Sequence, residues 1–480
     1  MWPWIDEFAR AVESNATALD TVPAREEAAD KAIAVLTEAG KIKEPTAKQD
    51  EELFRLLDAC RMFMRDRRGI DKLLSAEALD ILLMLSENLS WSSRVREESL
   101  KCIVNLVYSR PEFVSGILVP KRFITRLLVI ATFGGTASMH WLAWKVLLVS
   151  CEAPEVPRFL SSSLDAWQLI HGTIFYTFKH GNQLEIIDGA RATLLIDLVK
   201  LVTVLVNDTQ WTAEQEKLMP ALFRTIHKLG GLLLEILRFK HPDISPLNEN
   251  LVELKSKAME MFMFLPGNLL AAFVQQQHKE NSSSKESLLF PVLDHLHTML
   301  LATRIEKTRP LKDMLPTLIV CYNLAKTGDP DILTCFKQTI LPTMQSESAF
   351  ERTKALFFMQ LKFFFTCLDT DVRRYTSEWL FLLSDENGKC LQLFIVASRV
   401  VQLLSFSKFA DPSENNNNNS PCVFSEDVHA PHRRGERNRL AAHERSRLRP
   451  PRRSPALNIP DAAHGKHSLL ANVAAHAHLL

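Results

Sequence analysis

The chain has little glycine and few of the alternating apolar and polar patterns that indicate β-strands. Glycine accounts for 15 of its 480 residues, and amphipathic helical patterns follow one another from Glu51 to about Leu383. The scarcity of strand signals excludes a sheet-based fold. We therefore predict an all-α protein, with one helix starting after Ser75, another after Thr212, and a break at Pro154.

Paired cysteines and uninterrupted apolar runs are also missing. The eight cysteines are dispersed, without a CxxC pair or the spacing of zinc ligands, and we interpret them as core thiols of a reducing compartment. Segments 127–150 and 380–404 are apolar, but charged residues interrupt both, which indicates helix pairs rather than membrane spans. The start of the chain lacks the basic and apolar regions of a signal peptide, so we expect a cytoplasmic location.

The sequence motifs of common catalytic and cofactor sites do not occur. There is no GxxxxGK[ST] loop, GxGxxG motif, GxSxG elbow or HExxH motif. His295 and His297 are two residues apart, so on a helix they point away from each other and should not share a metal. Asp369 and Asp371 fit a turn with capping aspartates better than an acid–base pair. We predict no catalytic residue, no metal and no cofactor, and hence no enzyme.

Charge is balanced over the whole chain but not at its end. The formal net charge of +1 argues against binding of the entire chain to nucleic acid. Residues 415–419 are all asparagine, and 433–453 is rich in arginine and proline without aromatic residues. We predict a helical region at 1–388 and a tail at 389–480, with one helix at 390–404 followed by disorder. RNA binding through the arginines remains an alternative, although no aromatic platform accompanies them.

Repeated helix ends indicate how the helices are arranged. Two similar apolar runs begin at Asn105 and Leu147, and each ends in a short polar segment that contains proline. They are about 42 residues apart, which is the length of an armadillo or HEAT unit. Later spacings are wider, so the repeat is degenerate. Because many separate amphipathic helices each need a neighbour, we favour an armadillo/HEAT-like α-solenoid over a compact bundle.

The segment 98–107 separates an apolar stripe from a polar pair. Lys101 and Asn105 lie one turn apart, away from apolar residues at helical spacing: Leu100, Ile103, Val104 and Val107. An amine and an amide together could bind the backbone or carboxylate groups of a partner. An ordinary solvated helix face is the other interpretation.

A second polar pair lies about one repeat earlier. Arg61 and Arg65 are four residues apart beside a core stripe formed by Leu56, Cys60 and Phe63. Arginines at this spacing can bind a carboxylate or a helix C-terminus. Alternatively, they are solvated arginines that support neighbouring carboxylates, namely Asp58 or Asp66. Side by side in a solenoid, the two polar faces would form a groove.

Four segments resemble the synembryn family: RMFMRDRRGID at Arg61, ESLKCIVNLV at Glu98, EKTRPLKDMLPTLIV at Glu306 and LDTDVRRYTSEWLFLL at Leu368. The resemblance covers roughly residues 45 to 387. It implies a cytosolic armadillo-type chaperone and guanine-nucleotide exchange factor for heterotrimeric G-protein α subunits. Such a protein takes part in G protein-coupled receptor signalling without bond-making chemistry.

The resemblance also implies a binding mode. Family members hold the C-terminal helix of the α subunit in the concave groove of the solenoid, release GDP, and stabilise nascent or nucleotide-free α subunits. The partner contacts carry over to Arg61, Arg65 and Asn105, with Lys101 as a neighbour. We expect a monomer without a specific nucleic-acid partner or a transmembrane segment, recruited to the cell cortex or plasma membrane through the G protein.

The resemblance ends at Asn387. Family members continue with a tyrosine- and glycine-rich stretch, an acidic segment that can be phosphorylated, and helices that embrace the α subunit. We hypothesise that the residues after Asn387 come from an alternative or mispredicted exon, and we expect weakened exchange activity. The alternative function is a general armadillo-type adaptor without exchange activity. Such an adaptor should carry tryptophan and asparagine at regular repeat positions, which the eight tryptophans do not follow.

Overall fold

A computed structural model describes residues 4–14, 19–109, 123–179, 190–209, 212–240, 248–280, 289–341, 358, 360–388 and 392. The chain divides into two units, Met1–Asp411 and Pro412–Leu480, and every described residue lies in the first. The predicted tail at 389–480, with its helix at 390–404, lies outside the described residues except for position 392.

The described residues form α-helices joined by short turns. In chain order the helices are α1 (Trp4–Glu13), α2 (Val22–Gly40), α3 (Ala47–Phe63), α4 (Ala76–Glu87), α5 (Ser93–Ser109), α6 (Phe123–Phe133), α7 (Ala137–Ser150), α8 (Glu155–Ser162), α9 (Leu164–Lys179), α10 (Ala190–Asp208), α11 (Ala213–Leu218), α12 (Pro220–Arg238), α13 (Glu249–Met263), α14 (Gly267–Glu280), α15 (Phe290–Leu300), α16 (Leu315–Lys326), α17 (Pro330–Ile340) and α18 (Thr370–Leu383). A π-helical turn spans Leu301–Ile305, and 3-10 turns span Leu311–Met314 and Phe363–Thr366. No strand occurs in these ranges, which confirms the all-α prediction.

The helices stack in two layers. In the first layer each helix packs on the next, in the order α1, α3, α5, α7, α10, α13, α16 and α18. In the second layer α2 packs on α4, α6 on α9, α9 on α12, and α12 on both α14 and α15. Contacts such as α4 with α5 and α6 with α7 join the layers. This arrangement is an α-solenoid, as the sequence predicts.

One continuous core runs between the layers. It extends from Ile5 in α1 to Leu383 in α18, and its largest enclosed side chains include Trp144, Trp167 and Trp379. In a solenoid each repeat buries its apolar face only against its neighbours, so the core is a strip rather than a sphere. Stability therefore depends on many local contacts between adjacent helices.

Several sequence predictions about individual elements are confirmed. Asn105 and Leu147 lie on α5 and α7, which are neighbours in the first layer. Segment 127–150 contains the end of α6 and all of α7, with a turn at Gly135 whose φ of +91° favours glycine. Ser75 caps α4, since its Oγ accepts a hydrogen bond from the Ala78 amide at 3.0 Å. Among the described helices, none is both long and apolar enough to cross a bilayer.

Side chains from other helices bond to carbonyl groups at buried helix ends. The Arg96 guanidinium on α5 donates to the Ser86 carbonyl at 3.0 Å and to the Gly134 carbonyl at 3.1 Å, which close α4 and α6. On α9, the Trp167 Nε1 donates to the Ser161 carbonyl of α8 at 2.9 Å. These carbonyl groups have no partner within their own helix, so the donors prevent a loss of hydrogen bonding on burial.

We predict that Asp369→Ala destabilises the last described helix. The Asp369 Oδ1 accepts hydrogen bonds from the amides of Asp371 at 3.1 Å and Val372 at 3.0 Å. Loss of this N-cap should lower the free energy of unfolding by about 1 kcal/mol, measured by urea denaturation. Asp371→Ala is the control, because that exposed residue makes only an ion pair with Arg374 at 3.5 Å and should cost less than about 0.5 kcal/mol. Equal losses for both variants would contradict the capping role.

Candidate functional site

The end of α3 is held by side chains from two other helices. The Asn105 Nδ2 on α5 donates to the Arg61 carbonyl at 3.1 Å, and the Arg25 Nη2 on α2 donates to the Phe63 carbonyl at 2.9 Å. Backbone amides of the following turn bond to the other two terminal carbonyls. All four C-terminal carbonyl groups of α3 therefore have donors. Asn105 fixes α5 against α3 in addition to any contact with a partner.

A buried carboxylate lies between the predicted cations. Glu98 is almost fully enclosed, yet its two oxygens accept hydrogen bonds from Arg61 and, at 2.9 Å, from Lys101. Arg61 also pairs with Asp58. Burial alone would lower the pKa of the Arg61 guanidinium, but the hydrogen bonds with Glu98 and Asp58 outweigh it and raise the pKa. Arg61 is thus a charged link between α3 and α5.

The predicted site residues differ in how much surface they offer. Arg65 is exposed and makes no ion pair with a described residue, whereas the Lys101 side chain is 41% exposed. α3 ends at Phe63, so Arg65 lies in the following turn and not on the same helix as Arg61. The regular helix therefore stops two residues before the end of the predicted helical pattern, and the chain continues to Arg65 in a turn, where the Arg65 amide bonds to the Met62 carbonyl at 3.1 Å. Arg65 and Lys101 are the accessible cations of this surface.

The competing interpretation of the arginines is half confirmed. Arg61 supports Asp58, as that interpretation requires. Asp66, however, pairs with Arg68 at 2.6 Å and with Arg25 at 3.8 Å instead of with Arg65. The hydrogen bonds from Arg68 lower the pKa of the Asp66 carboxyl to about 2. The guanidinium of Arg65 thus remains open to an external carboxylate or carbonyl group.

Similar links continue along the first layer. Asp197 on α10 is buried and accepts hydrogen bonds from two side chains of α7: Trp141 Nε1 at 3.0 Å and Lys145 Nζ at 3.1 Å. One helix further, Lys200 on α10 pairs with Glu253 on α13 at 3.2 Å. The first layer therefore carries polar side chains beside its core along several repeats.

Sequence reasoning missed Glu98 and Asp197 as members of these links. Glu98 begins the segment 98–107, but its neighbours Lys101 and Asn105 form the clearer pattern there. Asp197 is the only charged residue in the apolar run from Leu194 to Val199. A lone acid in such a run must have a partner if it is buried, which is the signal that could have indicated it.

The candidate metal and acid–base pairs are explained by structural roles. On α15, His295 is fully buried while His297 is exposed, so the two point apart as expected. Asp369 caps α18, as expected for a turn with capping aspartates. Within the described ranges, no group of three or more potential ligands could hold a metal ion.

The family comparison matches the solenoid. The sequence model described as guanine nucleotide exchange factor synembryn covers residues 56–392, from within α3 to beyond α18. The chain belongs to this family. The match includes all four predicted site residues and the buried Glu98. No curated protein sequence matches the chain significantly. The resemblance of the four sequence segments is thereby confirmed over most of the chain, and its family is one of guanine nucleotide exchange factors.

We predict that Glu98→Ala strongly destabilises the α3–α5 contact. Removing this carboxylate leaves Arg61 and Lys101 without their enclosed partner, which should lower the free energy of unfolding by about 3 kcal/mol. Urea denaturation followed by circular dichroism measures the loss. The control is Glu51→Ala, which removes an exposed pair with Arg94 at 3.1 Å and should cost less than about 1 kcal/mol. If Glu98→Ala were as stable as the control variant, Glu98 would not link the two helices.

Proposed function

We propose that this chain is a chaperone and guanine-nucleotide exchange factor for heterotrimeric G-protein α subunits. The observation that carries the proposal is the family match over residues 56–392, which includes most of both layers. The α subunit as the partner follows from the resemblance of the four sequence segments. The polar surface at α3 and α5 gives the proposal a location.

The proposed ligand of this surface is the C-terminal helix of the α subunit, in a groove that the proposal assigns to the first layer. Arg65 offers an exposed guanidinium, and Lys101 a partly exposed ammonium group. Both suit the carboxylate and free carbonyl groups at the end of a helix. The Asn105 Oδ1 accepts no hydrogen bond from a described residue and could accept one from the partner. Arg61 contributes by holding Glu98, and so the shape of the surface.

Exchange of this kind needs a difference in affinity and no catalytic side chain. A chain that binds the nucleotide-free α subunit about 10⁴-fold more tightly than the GDP-bound form moves the equilibrium by about 5.5 kcal/mol. Each charged hydrogen bond contributes about 1.5–3 kcal/mol at most. One such bond each from Arg65 and Lys101 would supply about 3–6 kcal/mol, which reaches this difference only near its upper limit. Tyr108, which is 63% exposed near the end of α5, is suitable as a further contact.

The chaperone role follows from the same preference. A protein that binds the open, nucleotide-free state stabilises that state in proportion to its concentration and affinity. Binding of GTP then favours the closed state and releases the α subunit. We propose that the chain works as a cytoplasmic monomer on nascent or GDP-bound α subunits, and that the G protein recruits it to the plasma membrane or cell cortex.

The direct test measures GDP release from purified α subunits with and without the full chain. We expect acceleration, smaller than for a family member with the C-terminal helices that embrace the α subunit. Fluorescent GDP reports the release rate, and several types of α subunit should be compared. Binding without acceleration for any of them would contradict exchange activity and favour an adaptor.

A surface variant locates the binding site. We predict that Arg65→Glu weakens binding of a peptide from the C-terminal helix of the G-protein α chain by about tenfold, because loss and reversal of one charged contact costs roughly 1.5 kcal/mol. Fluorescence anisotropy of the labelled peptide measures the affinity. Arg224→Glu is the matched control, since that residue is exposed on α12 of the second layer. Arg61 is unsuitable for charge reversal because the new carboxylate would face Glu98.

An equal affinity for the Arg65→Glu and Arg224→Glu chains would contradict the proposed groove. Circular dichroism should show the same helix content and melting temperature for both variants, because neither residue is buried. A loss of peptide binding by both variants would indicate a non-specific attraction between charges, which falls as ionic strength rises.

A further inference from the structure

A cleft opens in the second layer between α9, α12 and α14, apart from the proposed binding surface at α3 and α5. Its volume is about 290 Å³. The lining side chains come from all three helices and include His171, Phe175, His227, Lys228 and Phe273. We call it the second-layer cleft. Concave sites that combine aromatic walls with a few polar groups are typical of small-molecule binding, and this volume suits one small molecule.

One wall of the second-layer cleft is preformed. Phe273 on α14 lies against Gly230 on α12, where a Cβ atom would be 2.4 Å from the Phe273 Cε2 atom. His227 meets the same ring edge-on, with the ring centroids 4.7 Å apart. Because Phe273 is buried and held by these two residues, it does not have to rearrange in order to contact a ligand.

Helix α9 supplies a second aromatic wall. His171 and Phe175 lie nearly parallel, with ring centroids 6.2 Å apart and 21° between the ring planes. Phe175 is 39% exposed, although it is a large apolar side chain. A flat aromatic ligand in the cleft would cover part of this surface and contact the rings of both walls.

One positive charge in the cleft has no counter-charge. Lys228 and Glu235 are the charged residues of the lining. Glu235 pairs with Lys179 on α9, whereas the exposed Lys228 makes no ion pair or hydrogen bond with any described residue. The Lys228 ammonium is therefore available to the carboxylate of a ligand, with which it can form a charge-assisted hydrogen bond.

The two imidazoles add polar groups without adding charge. Burial lowers the pKa of both His171 and His227, although the charge of Glu216 opposes this effect at His227. Both rings are therefore mostly neutral at pH 7, and each carries one N–H donor and one acceptor nitrogen. Neither ring forms a hydrogen bond with a described residue, so both can bond to polar atoms of a ligand.

We propose that the second-layer cleft binds a small aromatic monocarboxylate, of the size of indole-3-acetate. The ligand ring would lie against Phe175 and Phe273, and its carboxylate would accept a hydrogen bond from Lys228. A dicarboxylate or a phosphate ester fits less well, because the described lining offers one unpaired cation and a second negative charge would lose its hydration without a partner. This proposal does not rest on the exchange activity.

The test is titration of the full chain with indole-3-acetate, followed by ligand-observed NMR. We expect a dissociation constant on the order of 1 mM for a ligand of this size with one charged contact. Indole-3-acetamide has the same ring without the charge, and it should bind about tenfold more weakly. No binding of indole-3-acetate at about 10 mM, or an equal affinity for the acid and the amide, would overturn the proposal.

Two charge variants on α12 locate the carboxylate. Lys228→Gln should reduce the affinity for indole-3-acetate to that for the amide, a loss of about tenfold. Arg224→Gln is the matched control, since Arg224 is exposed one turn earlier on the same helix and does not line the cleft. An equal loss for both variants would indicate a general attraction between charges and would contradict the site.

A third variant locates the ring of the ligand. Phe175→Ala should weaken the binding of the acid and of the amide by the same factor, about threefold to tenfold, because both ligands share the ring contact. Circular dichroism should show the helix content of the unaltered chain for all three variants, since Phe175, Lys228 and Arg224 are exposed. An unchanged affinity of the Phe175→Ala chain for both ligands would contradict the proposed position of the ring.

Discussion

Buried carbonyl groups at helix ends are the constraint on which this solenoid depends. Short turns enclose terminal carbonyls of α3, α4, α6 and α8, and these carbonyls need donors from outside their own helix. Arg25, Arg96, Asn105 and Trp167 supply these donors from neighbouring helices. Because the donor and the acceptor belong to different helices, every such bond also fixes the spacing between them.

Because of this constraint, the polar residues on α5 have a structural role as well as the proposed binding role. Asn105 has the position expected of a partner-facing amide, yet its Nδ2 is committed to the end of α3. Arg61 is held by Asp58 and Glu98, so its charge supports the helix contact. The residues that build the surface and those that can bind a ligand on it are therefore partly different, and the accessible charges are those of Arg65 and Lys101.

The fold class was predictable because each repeat of a solenoid packs only on its neighbours, so the apolar pattern of each single helix already indicates it. In the predicted stripe on α5, Leu100, Ile103 and Val107 are buried as the spacing predicts, whereas Val104 is half-buried. The stripe on α3, formed by Leu56, Cys60 and Phe63, is fully buried. The site was less predictable. The helical pattern continues to Arg65, but α3 ends two residues earlier, where Arg25 from a distant part of the sequence bonds to its last carbonyl. No local pattern contains that contact.

The rigidity of the first layer bears on the nucleotide-exchange activity proposed above. That activity requires the first layer to keep its shape while it binds the helix of the α subunit. The pairs Arg61–Glu98, Lys145–Asp197 and Lys200–Glu253 each join consecutive helices of the first layer, and Glu98 and Asp197 are enclosed. Enclosed pairs are screened little by salt and are costly to break from one side. The buried acids that sequence reasoning missed are thus the groups that would allow the first layer to hold its ligand as one body.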